Sequence, residues 1–175
     1  MITLRINEKS YNIIKDFAKN HGLSINAYLN SVIDSQAEWF IPISSYSAVT
    51  VPKSMMAILF SMANKESLNE LAKRWGAEAK NIILLSGAEP NIHSILDFAR
   101  IVSKYLMGTD IRITFGGGKE SINNAVYVVI RHDAGENFSY FIDQAFDRLF
   151  QLMKIKALIN HDETTVFVKI ENPGG

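Results

Sequence analysis

Four histidines and no cysteine restrict the metal and nucleophile chemistry available to this chain of 175 residues. Two of the histidines precede an aspartate, in His132-Asp133 and His161-Asp162, and imidazole with carboxylate is a common set of metal ligands. We expect the last strand to begin at the opposite end of the sheet from Arg131, which would separate the two pairs by roughly 17–20 Å, a strand length. Since a metal site needs three or four ligands within reach of one ion, we predict polar strand ends here and no metal.

Two other segments have partial features of phosphate sites. Gly116-Gly117-Gly118-Lys119 lacks the Ser or Thr that follows the lysine in a P-loop, since Glu120 stands there, and we interpret it as a hairpin loop. Residues 131–137 join a strand to a helix with Asn137 as its expected cap, so an anion next to Arg131 competes with the simpler interpretation of a tight connection. No Gly-x-Ser-x-Gly or paired-carboxylate motif occurs, and we predict no catalytic residues, no cofactor and no enzymatic activity.

The first residues alternate between nonpolar and polar side chains, which predicts a short strand with two different faces. Such a strand is stable only when paired, and nothing else in the first 40 residues is strand-like. We therefore predict an antiparallel ribbon made with the same strand of a second molecule, which makes the protein a homodimer. The nonpolar residues are Ile2, Leu4 and Ile6, and the polar ones are Thr3, Arg5 and Asn7.

Two amphipathic helices are predicted after this strand. Asn7 is a suitable N-cap for a helix over about 8–21, and Gly22 tolerates the positive φ that ends many helices. Ser24 then caps a second helix that extends to about Trp39.

This order of elements resembles the ribbon-helix-helix family of bacterial and archaeal repressors and antitoxins. The resemblance lies in Thr3-Leu4-Arg5-Ile6, Ile14-x-x-Phe17-Ala18, Gly22 and Ser24-Ile25-Asn26, about a fifth of the chain. It implies that Thr3, Arg5 and Asn7 contact DNA bases in the major groove, where arginine pairs with guanine and asparagine with adenine. It also implies that a phosphate binds at Ser24, Ile25 and Asn26, where the second helix begins with free N–H groups.

The charge distribution supports this interpretation only locally. The whole chain carries 18 basic and 18 acidic residues, so it has no overall field that attracts nucleic acid. Residues 1–22 nevertheless hold a net charge of +2, with Arg5, Lys9, Lys15 and Lys19 opposing Glu8 and Asp16. No nonpolar run reaches about 18 residues and no signal-peptide pattern occurs, so we expect a cytoplasmic protein without a membrane partner.

The remainder of the chain predicts a second domain. Prolines and serines cluster in residues 40–52, which we interpret as a linker after a module of residues 1–39. Residues 53–171 show helical periodicity followed by the pattern β-β-α-β, with a long helix over about 137–153 covering a three-stranded sheet. The fold class is therefore α+β, an N-terminal ribbon-helix-helix followed by a ligand-sensing or oligomerisation domain.

Three functions fit these features. The first is a transcriptional regulator that binds double-stranded DNA as a dimer, or as a dimer of dimers, and whose second domain responds to a small-molecule effector. The second is a dimeric scaffold or adaptor that uses the N-terminal module only for dimerisation and binds protein through the second domain. The third is an enzyme fused to a DNA-binding arm. Loss of salt-dependent DNA binding on Arg5→Ala would favour the first.

Overall fold

The computed structural model describes residues 5–41, 51–104, 109–116 and 125–171. The chain forms two compact units, residues 1–47 and residues 48–175. None of the helices in the described ranges is both long enough and nonpolar enough to cross a bilayer.

The first unit is a pair of helices whose ends agree with the predicted caps. Helix α1 spans Glu8–Asn20 and helix α2 spans Ile25–Ser35, followed by a π-helical turn over Gln36–Phe40. The side-chain oxygen of Asn7 accepts from the Ser10 amide at 2.8 Å, and the Ser24 hydroxyl accepts from the Ala27 amide at 3.1 Å. Gly22 has φ +66° between the helices, a conformation that glycine adopts without strain.

The predicted ribbon-helix-helix fold class is wrong at its first element. The first element described is α1, and residues 5–7 precede it without regular secondary structure. Asn7 is in an extended conformation, but its side chain closes the first turn of α1, so the polar position assigned to a strand starts a helix instead. Thr3, Leu4 and the rest of residues 1–4 lie outside the described part of the chain.

Three helices open the second unit: α3 over Lys53–Met62, α4 over Lys65–Leu85 and α5 over Ile92–Val102. Asn64 caps α4 through the Ser67 amide, and Asn91 forms a reciprocal capping box with Ser94 on α5. The breaks between these helices fall at residues 63–64 and over residues 86–91.

A four-stranded antiparallel sheet completes this unit, so the predicted β-β-α-β order is also incomplete. The strands are β1 (Asp110–Phe115), β2 (Ala125–Arg131), β3 (Ala157–His161) and β4 (Thr165–Glu171), in the order β1-β2-β4-β3. Helix α6, Glu136–Met153, connects the two hairpins. Strand β3 was not predicted, because it is five residues long and follows a helix that ends at Lys154 in the left-handed region without a glycine.

Helix α6 is the centre of the hydrophobic core. Phe141, Ile142, Ala145 and Leu149 are buried on it, and the nonpolar face of β2 and β4 is buried as well. Gly76 of α4 allows the two helices to approach closely, because a Cβ atom there would lie 2.9 Å from the Arg148 Cβ. One face of the sheet is therefore part of the core.

Candidate functional site

The residues of the N-terminal unit that were predicted to contact DNA differ in exposure and in hydrogen bonding. Arg5 is exposed before α1, whereas the carboxamide oxygen of Asn7 is occupied as the cap of that helix. Ser24 is exposed and caps α2 through its hydroxyl, which leaves the amides of Ile25 and Asn26 without a hydrogen-bond partner in the described residues. Thr3 lies outside the described residues, and the ribbon that was to present it with Arg5 and Asn7 is not the fold.

The two sides of α1 differ in chemistry. At 100° per residue, Ile13, Ile14 and Phe17 project from one side. Lys15, Lys19 and Glu8 project from the opposite side, Lys9 and Asp16 lie at the borders between the two sides, and all five are exposed. The helix therefore has one nonpolar side and one charged side.

The nonpolar side of the helix pair is only slightly buried by its own chain. Ala18 is the only buried residue among those of the first unit whose side chains the structure describes. The Phe17 ring stacks on His21 and on Tyr28, with centroids 4.0 Å and 4.7 Å apart, yet Phe17 remains 42% exposed. The other large nonpolar side chains left exposed are Tyr11, Ile13, Leu23, Ile33, Phe40 and Ile41.

In the second unit, the two His-Asp pairs lie at the same end of the sheet, contrary to the sequence-based expectation. Arg131 pairs with Thr165, and the His132 amide donates to the Thr164 carbonyl at 2.9 Å. The missed strand β3 explains the error, because it returns the chain once more before β4 begins. Even so, the described residues contain no group of three side chains placed to bind a metal ion.

His132 is a buried, neutral ring that connects β2 to α6. The Ala134 amide donates to its Nδ1 at 3.3 Å, so Nε2 carries the proton and donates to the Ser139 hydroxyl at 2.8 Å. Burial lowers the pKa of His132 below 6.5; Asp133 and Asp162 oppose this shift and Lys53 adds to it. Ser139 is fully buried, so a substrate cannot reach its hydroxyl as it would reach a nucleophile.

A second polar cluster lies between α6 and the end of β3. His161 Nδ1 and Asp143 Oδ2 are 2.6 Å apart, and the Tyr140 ring stands edge-on to His161. Tyr140 donates its hydroxyl proton to Asn69 at 2.9 Å, and the Lys65 ammonium lies 3.9 Å from the Tyr140 ring centroid. Each of these groups is engaged by another, which indicates a structural role in attaching β3 and α4 to α6.

The connection before α6 differs from the one that the sequence predicted. The helix begins at Glu136 after Gly135, whose φ is +82°, and not after Asn137. Asn137 instead donates from its side chain to the Phe60 and Ala63 carbonyls, both at 3.0 Å. It fixes the end of α3 to α6, and the segment is a tight connection.

A cleft of about 320 Å³ opens at the other end of α6. Within it, burial raises the pKa of Asp147, and the nearby Asp143 carboxylate adds to that shift. The Gln151 amide donates to Asp147 at 2.7 Å. The cleft is lined by Asp147, Phe150, Gln151, Ile155, Lys156, Ala157, Leu158 and Glu171.

In comparisons with known proteins, no family model matches this chain, and no curated protein matches it.

Proposed function

We propose that this protein is a cytoplasmic, homodimeric DNA-binding regulator, in which the N-terminal helix pair joins two chains and binds double-stranded DNA. The observation that supports this best is the division of α1 into an exposed nonpolar side and an exposed charged side, around which lysines outnumber carboxylates. Exposed nonpolar side chains grouped on one helix pair are typical of protein contacts. A basic side is typical of contacts with a polyanion.

Dimerisation follows from the small core of the helix pair. A unit of under 50 residues has a small core and usually depends on a partner, a metal or disulfides for stability, and this chain has no cysteine. A second copy of the same surface is the simplest partner, since most soluble oligomers are symmetric homodimers. In the dimer, Ile13 and Phe17 of each chain lie in a shared nonpolar contact.

DNA binding depends on the start of α2 and the basic side of α1. The unpaired amides of Ile25 and Asn26, with the positive end of the helix dipole, suit a phosphate oxygen. Arg5 and the exposed lysines of α1 supply the longer-range attraction. The cleft beside Asp147 has a volume suited to a small effector, which would give the second unit its regulatory role.

Ile13→Asp tests the dimer. Ile13 is 62% exposed in the single chain, so an aspartate there leaves a monomer intact but places two carboxylates in the shared contact of a dimer. We expect sedimentation to give twice the 19.6 kDa chain mass for the native protein and the single mass for Ile13→Asp. Asn12→Asp introduces the same residue on the charged side of α1 and should remain dimeric. A native protein that sediments as a monomer at micromolar concentration contradicts the proposal.

Asn26→Asp tests the DNA contact. A carboxylate at the start of α2 stabilises the helix and repels a phosphate, so lost binding cannot be attributed to unfolding. On a pool of random-sequence duplexes we expect binding about tenfold weaker or more. Asn30→Asp, one turn further along α2, is the matched control and should bind like the native protein. A dimer that binds no duplex at low salt would instead favour the adaptor function.

A further inference from the structure

The sheet of the second unit has one face that the described helices leave open. Val126, Val128 and Ile130 of β2 point into the core. Between them, Tyr127 points to the opposite face and is 44% exposed, and Phe167 of β4 is 45% exposed on the same face. An exposed ring on each of the two central strands has no role in the core and none in the function proposed above.

Strand register places one cation directly beside Tyr127 and a second cation in the same row as Phe167. Tyr127 pairs with Lys169, and Val129 pairs both with Phe167 and with Arg112. By this register the two rings are diagonal neighbours, Lys169 is directly beside Tyr127, and Arg112 is a diagonal neighbour of Tyr127. Directly paired side chains are about 4.5–5.5 Å apart and diagonal ones about 7–8 Å. The two rows are Thr114-Tyr127-Lys169-Leu158 and Arg112-Val129-Phe167-Asn160.

The charges on this face are segregated. The two central rows carry Arg112 and Lys169 and no carboxylate, while Asp110 and Glu171 lie at opposite ends of the sheet. Within the described ranges neither Arg112 nor Lys169 forms an ion pair. The centre of the face is therefore a positive surface interrupted by two aromatic rings.

The Tyr127 ring also lies close to the backbone of Gly116. Gly116, directly after β1, lies so close to the ring that a Cβ atom there would be 3.0 Å from the Tyr127 Cε2. The glycine leaves space for the ring beside the edge of β1, which restricts the ring before any ligand binds.

We propose that this open face binds single-stranded nucleic acid, with bases stacked on Tyr127 and Phe167 and phosphates contacting Arg112 and Lys169. Stacking on rings and attraction to cations are the two contributions by which sheets bind single strands. Double-stranded DNA does not fit, because its bases are already stacked on one another. A second copy of the chain fits poorly, because a symmetric contact over these rows buries unpaired cations near one another.

The test is fluorescence anisotropy of the full chain with a labelled oligothymidine or oligouridine of about 20 nucleotides, which exceeds the site of one such domain. Tyr127→Ala and Phe167→Ala should each weaken binding by about 5- to 100-fold. Tyr127→Phe keeps the ring and should bind like the native protein. Lys169→Ala should weaken binding and reduce its salt dependence, whereas Lys73→Ala, on the exposed side of α4, should do neither.

Three results would overturn the proposal: no binding of either oligonucleotide by the native protein, unchanged binding by both alanine variants, or a change of sedimenting mass in those variants, which would identify a protein interface. Both rings are exposed, so their truncation leaves the fold intact, as circular dichroism should verify. Arg5→Ala and Asn26→Asp separate the two proposals, because they affect duplex binding by the first unit and leave single-strand affinity unchanged.

Discussion

The two units of this protein use amphipathic helices in opposite ways. In the second unit, α6 buries Phe141, Ile142 and Leu149 within its own chain. In the first unit, α1 has an equally clear nonpolar side, yet it buries only Ala18. Amphipathicity therefore indicates which side of a helix is buried. It does not indicate whether that side is buried against the same chain or against another molecule. Five predictions test this difference, beginning with the largest effect.

Truncation in the core of the second unit should have the largest effect. Leu149 is fully buried, so Leu149→Ala should lower the free energy of unfolding of this unit by about 2–5 kcal/mol. Urea unfolding followed by Trp75 fluorescence in a Trp39→Phe background measures it, since the chain has two tryptophans. Leu158→Ala, at a position 58% exposed, should change it by less than about 0.5 kcal/mol. If Leu149→Ala and Leu158→Ala lowered the free energy of unfolding equally, Leu149 would not be part of the hydrophobic core.

Dilution should distinguish the units next. If a second copy covers the helix pair, a hundredfold dilution should lower its free energy of unfolding by about 2.7 kcal/mol per dimer, or about 1.4 kcal/mol per chain, while the second unit should not respond. Hydrogen exchange of peptides from α1, α2 and α6 at two protein concentrations measures both in one sample. Protection of α1 and α2 that is independent of concentration would remove the contrast between the units.

The buried His132 should make the second unit sensitive to acid. Its pKa in the folded state is lowered, so the unfolded chain takes up a proton first. Stability from this group is therefore present above pH 6.5 and decreases as the pH falls from 6.5 through the folded-state value. Urea unfolding across this range should show the decrease, and His93→Gln, at an exposed position, should retain it.

Ser139→Ala tests the same contact at constant pH. It leaves the Nε2 proton of His132 without its acceptor and should cost about 1–3 kcal/mol. A variant as stable as the native protein would mean that the ring finds another partner.

The side chain of Asn137 should contribute least. Its two hydrogen bonds to the end of α3 suggest a cost of about 1–2 kcal/mol for Asn137→Ala, with faster hydrogen exchange confined to α3. Asn160→Ala, at an exposed position on β3, should not change exchange in α3. Faster exchange throughout the second unit would show that the contact supports more than one helix.

Local signals in the sequence predicted local structure well. The caps Asn7 and Ser24, the positive φ of Gly22 and the hairpin of β1 and β2 are all as expected, because each depends on a few adjacent residues. The strand expected over residues 2–7 was wrong at its described residues, 5–7. Asn7 fits both a polar strand position and a helix cap, and only the helix that follows decides between the two.

Features that depend on distant residues were predicted poorly. Without β3, the direction of β4 was reversed, and this placed the two His-Asp pairs at opposite ends of the sheet. The Asn137 bonds to α3 join residues more than 70 positions apart, which no local pattern indicates. The open face could not be predicted because β2 is nonpolar on both sides, so its residue pattern does not show which side is covered.

The strand order β1-β2-β4-β3 also constrains synthesis of the protein on the ribosome. Strand β2 pairs with β4, which is made only after α6 and β3, so the sheet cannot close until residue 171 has left the exit tunnel. Until then β2 lacks its neighbour β4, and the nonpolar faces of β2 and α6 are incompletely covered. The growing chain can therefore aggregate or bind chaperones during this interval. A pause in translation just before residue 165 would prolong that interval.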